Sequence, residues 1–224
     1  MKKLFAAIRK SDFETVRNLL EKDPSLVACT AKSPPKKDDG QSPLQVALKT
    51  GSFAIAALLL DMGADVNFME SEDCISNWRA PVLHDAINAA VMNCRWNARD
   101  IDGDIVVHST AERADESFAI LTRMIGMGAD VNAVDSVGNS CLWRAAIQAE
   151  QILPRQPETG SGVLPDRILT DELLSDLSRI FHLLIDSGAR IEKSHPYLGV
   201  SFQKYCAANP ALNRIVRLHT GDEQ

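Results

Sequence analysis

Apolar residues return at helical spacing in paired runs along this chain. Leu4, Phe5 and Ile8 form one run, and Phe13, Val16, Leu19 and Leu20 another. Ser11 and Asp12 make a tight link between them, and Pro24 follows the second. Spacing of this kind predicts two short helices with one apolar face each. The other face carries Lys2, Lys3, Arg9, Lys10, Glu14, Arg17 and Glu21, as suits the solvated end of a stack. Later apolar runs end in Leu58-Leu59-Leu60, Met124-Ile125 and Leu183-Leu184-Ile185. A matching phrase follows each: Met62-Gly63-Ala64-Asp65-Val66-Asn67, Met127-Gly128-Ala129-Asp130-Val131-Asn132 and Ser187-Gly188-Ala189-Arg190-Ile191-Glu192. A glycine just past a helix adopts the left-handed conformation that closes the last turn. Helix, glycine stop and extended exit, three times in one order, indicate a repeated unit.

A second phrase precedes the first helix of each unit. It reads Gly40-Gln41-Ser42-Pro43-Leu44-Gln45-Val46-Ala47, Pro81-Val82-Leu83-His84-Asp85-Ala86 and Gly138-Asn139-Ser140-Cys141-Leu142-Trp143-Arg144-Ala145. Glycine makes a hairpin turn, serine caps the helix, and proline suits its first position. The first and third resemble the ankyrin signature Gly-x-Thr-Pro-Leu-His-x-Ala. Spacing tests the resemblance: Leu44 to Gly63 is 19 residues and Gly128 to Leu142 is 14, together one 33-residue ankyrin period. The resemblance implies an all-α ankyrin-repeat solenoid of helix pairs with β-hairpin-like loops. Its expected divisions are a capping unit at 1–24, unit two at 37–69, unit three at 76–134, unit four at 135–193, and a C-terminal cap at 194–219.

Units three and four are too long. Leu83 to Leu142 spans 59 residues, 26 above the period, and Leu142 to Gly188 spans 46 where 19 is expected. Both insertions fall between the two helices of a unit. Residues 82–99 and 111–126 are expected as lengthened helices, and 141–153 and 168–186 as those of unit four. The connector with Pro154, Pro157, Gly160, Gly162 and Pro165 reads as a loop. The insertions either thicken the stack or form a docking surface or dimer contact. In the cap, Phe202, Tyr205, Ile215, Val216 and Leu218 are expected inward, with a loose tail at 220–224.

Composition narrows the function. Apolar residues are 45% and charged residues 24%, as in a soluble folded protein. The net charge of −6 argues against a phosphate backbone as partner and favours a basic protein. The apolar stretch after Lys3 is five residues, below the roughly 7–15 of a secretion signal. No run reaches the ~20 apolar residues of a membrane span. Five scattered cysteines without a C-x-x-C pair imply reduced thiols and a cytoplasmic location.

The resemblance also implies a binding surface: hairpin tips and the exposed side of the first helices. Carried onto this sequence by spacing, it names Asp38, Asp39, Gln41, Lys49, Thr50 and Met69 in unit two. Unit three contributes Asn77, Trp78, Asn88 and Ala89, and unit four Ser136, Val137, Asn139, Ile147 and Gln148. In unit three Arg79 stands where the hairpin glycine belongs, and Pro81 sits one place early. Trp78 either offers a large apolar face to a partner or packs onto the loop 69–80. Trp96 and Trp143 are expected to pack inside, and His84 to tie neighbouring hairpins by hydrogen bonds, as its family counterpart does.

No catalytic residue, cofactor or metal site is expected. His108, His182, His195 and His219 lack ligand spacing. Asp100-Ile101-Asp102-Gly103-Asp104 resembles the start of a calcium loop, but its twelfth position is Ala111, so it reads as an acidic turn between helices. Gly160-Ser161-Gly162 lacks the rest of a nucleotide fingerprint. The leading expectation is a non-catalytic protein-binding module, monomeric or weakly self-associating. Analogy to small stand-alone bacterial ankyrin proteins adds an immunity protein that neutralises a basic toxin or enzyme domain. The alternatives are a scaffold within a larger assembly, and a metal-dependent enzyme using Asp100, Asp102, Asp104, His108 and Glu112.

Overall fold

The computed structural model describes residues 1–154, 166–191 and 194–220, the side chains of 217–220 excepted. The helices form pairs: α1 (Lys2–Arg9) with α2 (Phe13–Lys22), and α3 (Pro43–Lys49) with α4 (Phe53–Asp61). Next come α5 (Val82–Met92) with α6 (Ala111–Gly126), α7 (Cys141–Ala149) with α8 (Asp171–Asp186), and α9 (Phe202–Ala207) with α10 (Pro210–Thr220). First helices stack as α1, α3, α5, α7, and second helices as α2, α4, α6, α8, α10. This is the all-α repeat solenoid that the two phrases predict. Leu44, Ala47, Leu83, Ala86, Leu142 and Ala145 of the second phrase are all buried between neighbouring first helices.

Capping and glycine stops set the helix ends. Ser42 accepts from the Gln45 amide, and the Gln45 side chain accepts from the Ser42 amide, a full capping box ahead of Pro43. Gly63, Gly128 and Gly188 take φ of +83°, +91° and +92°. After each, the alanine amide reaches back to the last helical turn: Ala64 to Leu59, Ala129 to Met124 and Ala189 to Leu184, at 2.9–3.1 Å. The asparagines of the same phrase join the units. Asn67 donates to the Gly128 carbonyl at 3.1 Å and accepts from the Asp130 amide at 2.8 Å. Asn132 does the same toward Gly188 and Arg190, both at 3.0 Å. One geometry thus repeats across both long insertions.

The insertions differ from expectation. The first is not a helical extension: α5 stops at Met92, and residues 97–107 form a hairpin of β1 (Asn97–Arg99) and β2 (Ile105–Val107), with Ala98 opposite Val106. The acidic segment 100–104 is its turn, where Asp100 accepts from the amides of Asp102 and Asp104. The reason is legible afterwards: Asp102-Gly103 before three β-branched residues is a hairpin pattern. The two insertions meet, for the Arg99 amide donates to the Asp166 carbonyl at 2.8 Å and Ala98 bridges Arg167. Arg95 clamps the hairpin base to α8 through two guanidinium bonds of 2.9 Å to Asp176, whose Oδ2 also accepts the Arg95 amide. Trp96 is half-buried rather than central, stacked on His108 with ring centres 3.9 Å apart.

In unit four the helices are 141–149 and 171–186, shorter at their facing ends than expected; residues 155–165, with Gly160 and Gly162, lie outside the described set. Trp143 packs inside the cap, against His195, Phe202 and Tyr205. Phe202, Ile215 and Val216 are buried as expected and Tyr205 is half-buried; Leu218 and residues 221–224 fall outside what is described.

Candidate partner-binding groove

The loops at one end of the helices form a row of hairpin tips. Gly40 must be glycine, because a Cβ there would lie 2.6 Å from Cys74 Cβ on the next tip. Gly138 is held likewise by Pro196. Contact this close buries side chains expected to be free. Asp38 is buried and paired with Arg9. Gln41 is buried, and so is Asn139, which donates to Asp135 at 2.7 Å and contacts His195 Nε2 at 2.8 Å. His195 Nδ1 accepts from the amides of Tyr197 and Leu198, so Nε2 carries the proton and donates to Asn139. The exposure expected of Asp38, Gln41 and Asn139 is therefore corrected: all three are buried, Asp38 against Arg9 of α1 and Asn139 against His195 of the next tip. Asp39 is half-buried and also joins tips, accepting from the Ser33 amide at 2.7 Å and the Ile75 amide at 3.0 Å. These bonds to amides hold its carboxyl below the usual range.

Met69 is half-buried at a bridge to Pro81. Asn77 and Val137 are exposed at their tips, while Ser136 is half-buried and accepts from the Arg79 amide at 3.0 Å. The tip of unit three lacks its glycine and is held by a buried carboxylate instead. Glu70 accepts from the Ala80 amide at 2.9 Å and from Gln45 at 3.0 Å.

Beside the tips runs a groove of about 510 Å³ across α3, α5 and α7. Lys49, Thr50, Trp78, Asn88 and Ala89, singled out by spacing, all line it. Ile147 and Gln148 are half-buried on the last turn of α7, where Gln148 accepts from Arg144 at 3.0 Å. Trp78 packs toward unit four and not onto the loop 69–80: its indole N–H donates to Asp135 at 3.0 Å, and the Arg144 guanidinium sits 5.4 Å over its ring. Asp135 also accepts from Asn139 and from the amides of Val137 and Asn139, and these bonds outweigh burial and keep its pKa low.

Six lining residues escaped the sequence reading: Leu48, Gly51, Asp85, Met92, Asn93 and Arg144. Asp85 and Arg144 both follow the histidine place of the second phrase, so that variable position aims at the groove. Arg144 donates to Asn88 at 2.7 Å, fixing one wall. Asp85 is buried, and burial raises its pKa to about 7 against the pull of Lys49, whose Nζ lies 3.6 Å away. Lys49 is itself partly solvated, so it offsets burial only in part. His84 is buried beside it, contacts the Ala133 carbonyl at 3.3 Å across to the next hairpin, and is held neutral, its pKa lowered by burial to about 4.

Among the described residues, no group of three or more His, Cys, Asp or Glu side chains is placed to hold a metal ion. The alternative centre at Asp100, Asp102, Asp104, His108 and Glu112 is therefore not assembled. Burial raises the thiols of Cys141 and Cys206 to about 12, so they do not act as nucleophiles at neutral pH. Among the described residues no helix is long and apolar enough to cross a membrane.

Residues 39–70 match the family model of the ankyrin repeat, which supports a protein–protein interaction module. No curated protein matches the chain.

Proposed function

We propose that this ankyrin-repeat chain holds a segment of another protein in the groove along α3, α5 and α7, and that it catalyses nothing. The observation that carries this reading is the convergence of Lys49, Thr50, Trp78, Asn88 and Ala89, from two separate units, on one concave surface. Bonds across units fix Trp78 and Arg144 before any partner arrives, so little side-chain ordering opposes association. The exposed tip residues Asn77 and Val137, with Ser136, Ile147 and Gln148, extend the contact.

The finer role we propose is that of an immunity protein that occupies a basic toxin or enzyme domain. Its support is the net charge of −6 together with the small size of the chain. Met92, exposed on the groove wall, provides the test. Met92→Arg places a long cation there and repels a basic partner. Wild-type protein expressed in its native cell should copurify one protein in stoichiometric amount, and Met92→Arg should lose at least nine-tenths of it. Equal recovery by both would remove the groove from the interface, and recovery of an acidic partner would remove the toxin reading alone.

A further inference from the structure

The unabsorbed feature is the outer edge of the inserted hairpin. Ile105, Val106 and Val107 are 55%, 39% and 64% exposed, although all three are apolar and in a strand. β1 is flanked on both sides, by β2 and by the Asp166–Arg167 segment, which leaves β2 at the edge. The ladder fixes which groups face out. The His108 amide donates to Trp96, and the Asp100 amide to Asp104. Even-numbered residues of β2 therefore bond inward, and by the antiparallel alternation Ile105 and Val107 turn their N–H and C=O outward. Natural edges are blunted by lysine, proline or a bulge, and none of these occurs in Ile105-Val106-Val107.

We infer that β2 pairs with β2 of a second copy of this chain, antiparallel about a two-fold axis through Val106. The sequence Asp104-Ile105-Val106-Val107-His108 is complementary to itself in that register. Ile105 of each copy lies opposite Val107 of the other, and the two pairs exchange four hydrogen bonds through the outward groups. Val106 meets its own counterpart at the close, non-hydrogen-bonded position. Asp104 of each copy faces His108 of the other, a carboxyl against an imidazole. Shifting the register by two residues sets Asp104 or His108 against Val106 instead, so the match of polar with polar and apolar with apolar selects the two-fold pairing. A segment this short buries far less than the roughly 1,200 Å² of a stable interface, so the dimer is weak and concentration-dependent.

Sedimentation equilibrium of the full chain tests this. From about 10 μM to 1 mM, the range a weak contact demands, the mean mass of wild type should climb from 24.5 kDa toward twice that value. Val107→Pro removes only an outward N–H, which the hairpin does not use, and Ile105→Lys places a charge on the edge. Each should weaken association at least tenfold with an unchanged circular dichroism spectrum. A wild type that stays at 24.5 kDa throughout overturns the proposal, as do two variants that self-associate as strongly as wild type. An edge that accepts a strand only from another protein gives the first of these results.

Discussion

Asp85 and His84 are neighbours in sequence, both buried, and titrate in opposite senses. The folded Asp85 keeps its proton to about pH 7, so its contribution to stability is complete below its ordinary pKa near 3.8 and is lost as pH rises through 7. His84, depressed to about 4, contributes stability that is present above its ordinary pKa of 6.5 and lost as pH falls toward 4. The two slopes oppose each other between pH 4 and 6.5. Asp85→Asn removes one of them. Denaturant unfolding at stepped pH should show the variant gaining on wild type by up to about 1.4 kcal/mol per unit from pH 4 to 7, then no further. A gap that does not change with pH would mean that Asp85 ionises normally. Trp143 gives a second residue-scale prediction. It fills the space between α7 and the cap, against three aromatic rings. Trp143→Ala should cost about 3–5 kcal/mol in the same assay.

At the scale of elements, the inserted hairpin depends on one carboxylate. Asp176 on α8 takes the Arg95 guanidinium and amide and also lies 3.5 Å from Arg179. Asp176→Ala leaves Arg95 without its carboxylate at the hairpin base, while Arg179 keeps Asp115. Limited proteolysis should then cut within 95–108 at least ten times faster while α3 and α4 keep their protection; an unchanged rate would show that the hairpin stands without the clamp. The helices themselves were legible because capping residues, glycine stops and apolar spacing agree at each end, as at Ser42-Pro43 and Gly63. The hairpin was missed for a definite reason. Residues 82–99 keep an apolar content that fits a helix, and only the later Asp102-Gly103 and Ile105-Val106-Val107 betray a strand pair. Burial of Asp38, Gln41 and Asn139 was equally out of reach, because spacing places a residue on a tip and says nothing of the next tip packed on it.

Across the whole molecule, the repeat holds its geometry through insertions of 26 and 27 residues. The Asn67 and Asn132 bridges repeat one geometry between neighbouring units. The groove runs along the first helices and reaches Met92 and Asn93, where α5 ends and the inserted hairpin begins. Its walls were partly readable: Lys49, Thr50, Trp78, Asn88 and Ala89 came from the repeat register, whereas Asp85, Met92 and Arg144 needed the helices set side by side. Site-resolved photo-crosslinking in the native cell tests the groove most directly. A photoreactive residue at position 49, 88 or 92 should capture one and the same protein partner, and one at position 14 or 122 on the outer helices should not. Capture from the outer positions, with none from 49, 88 and 92, would contradict the account.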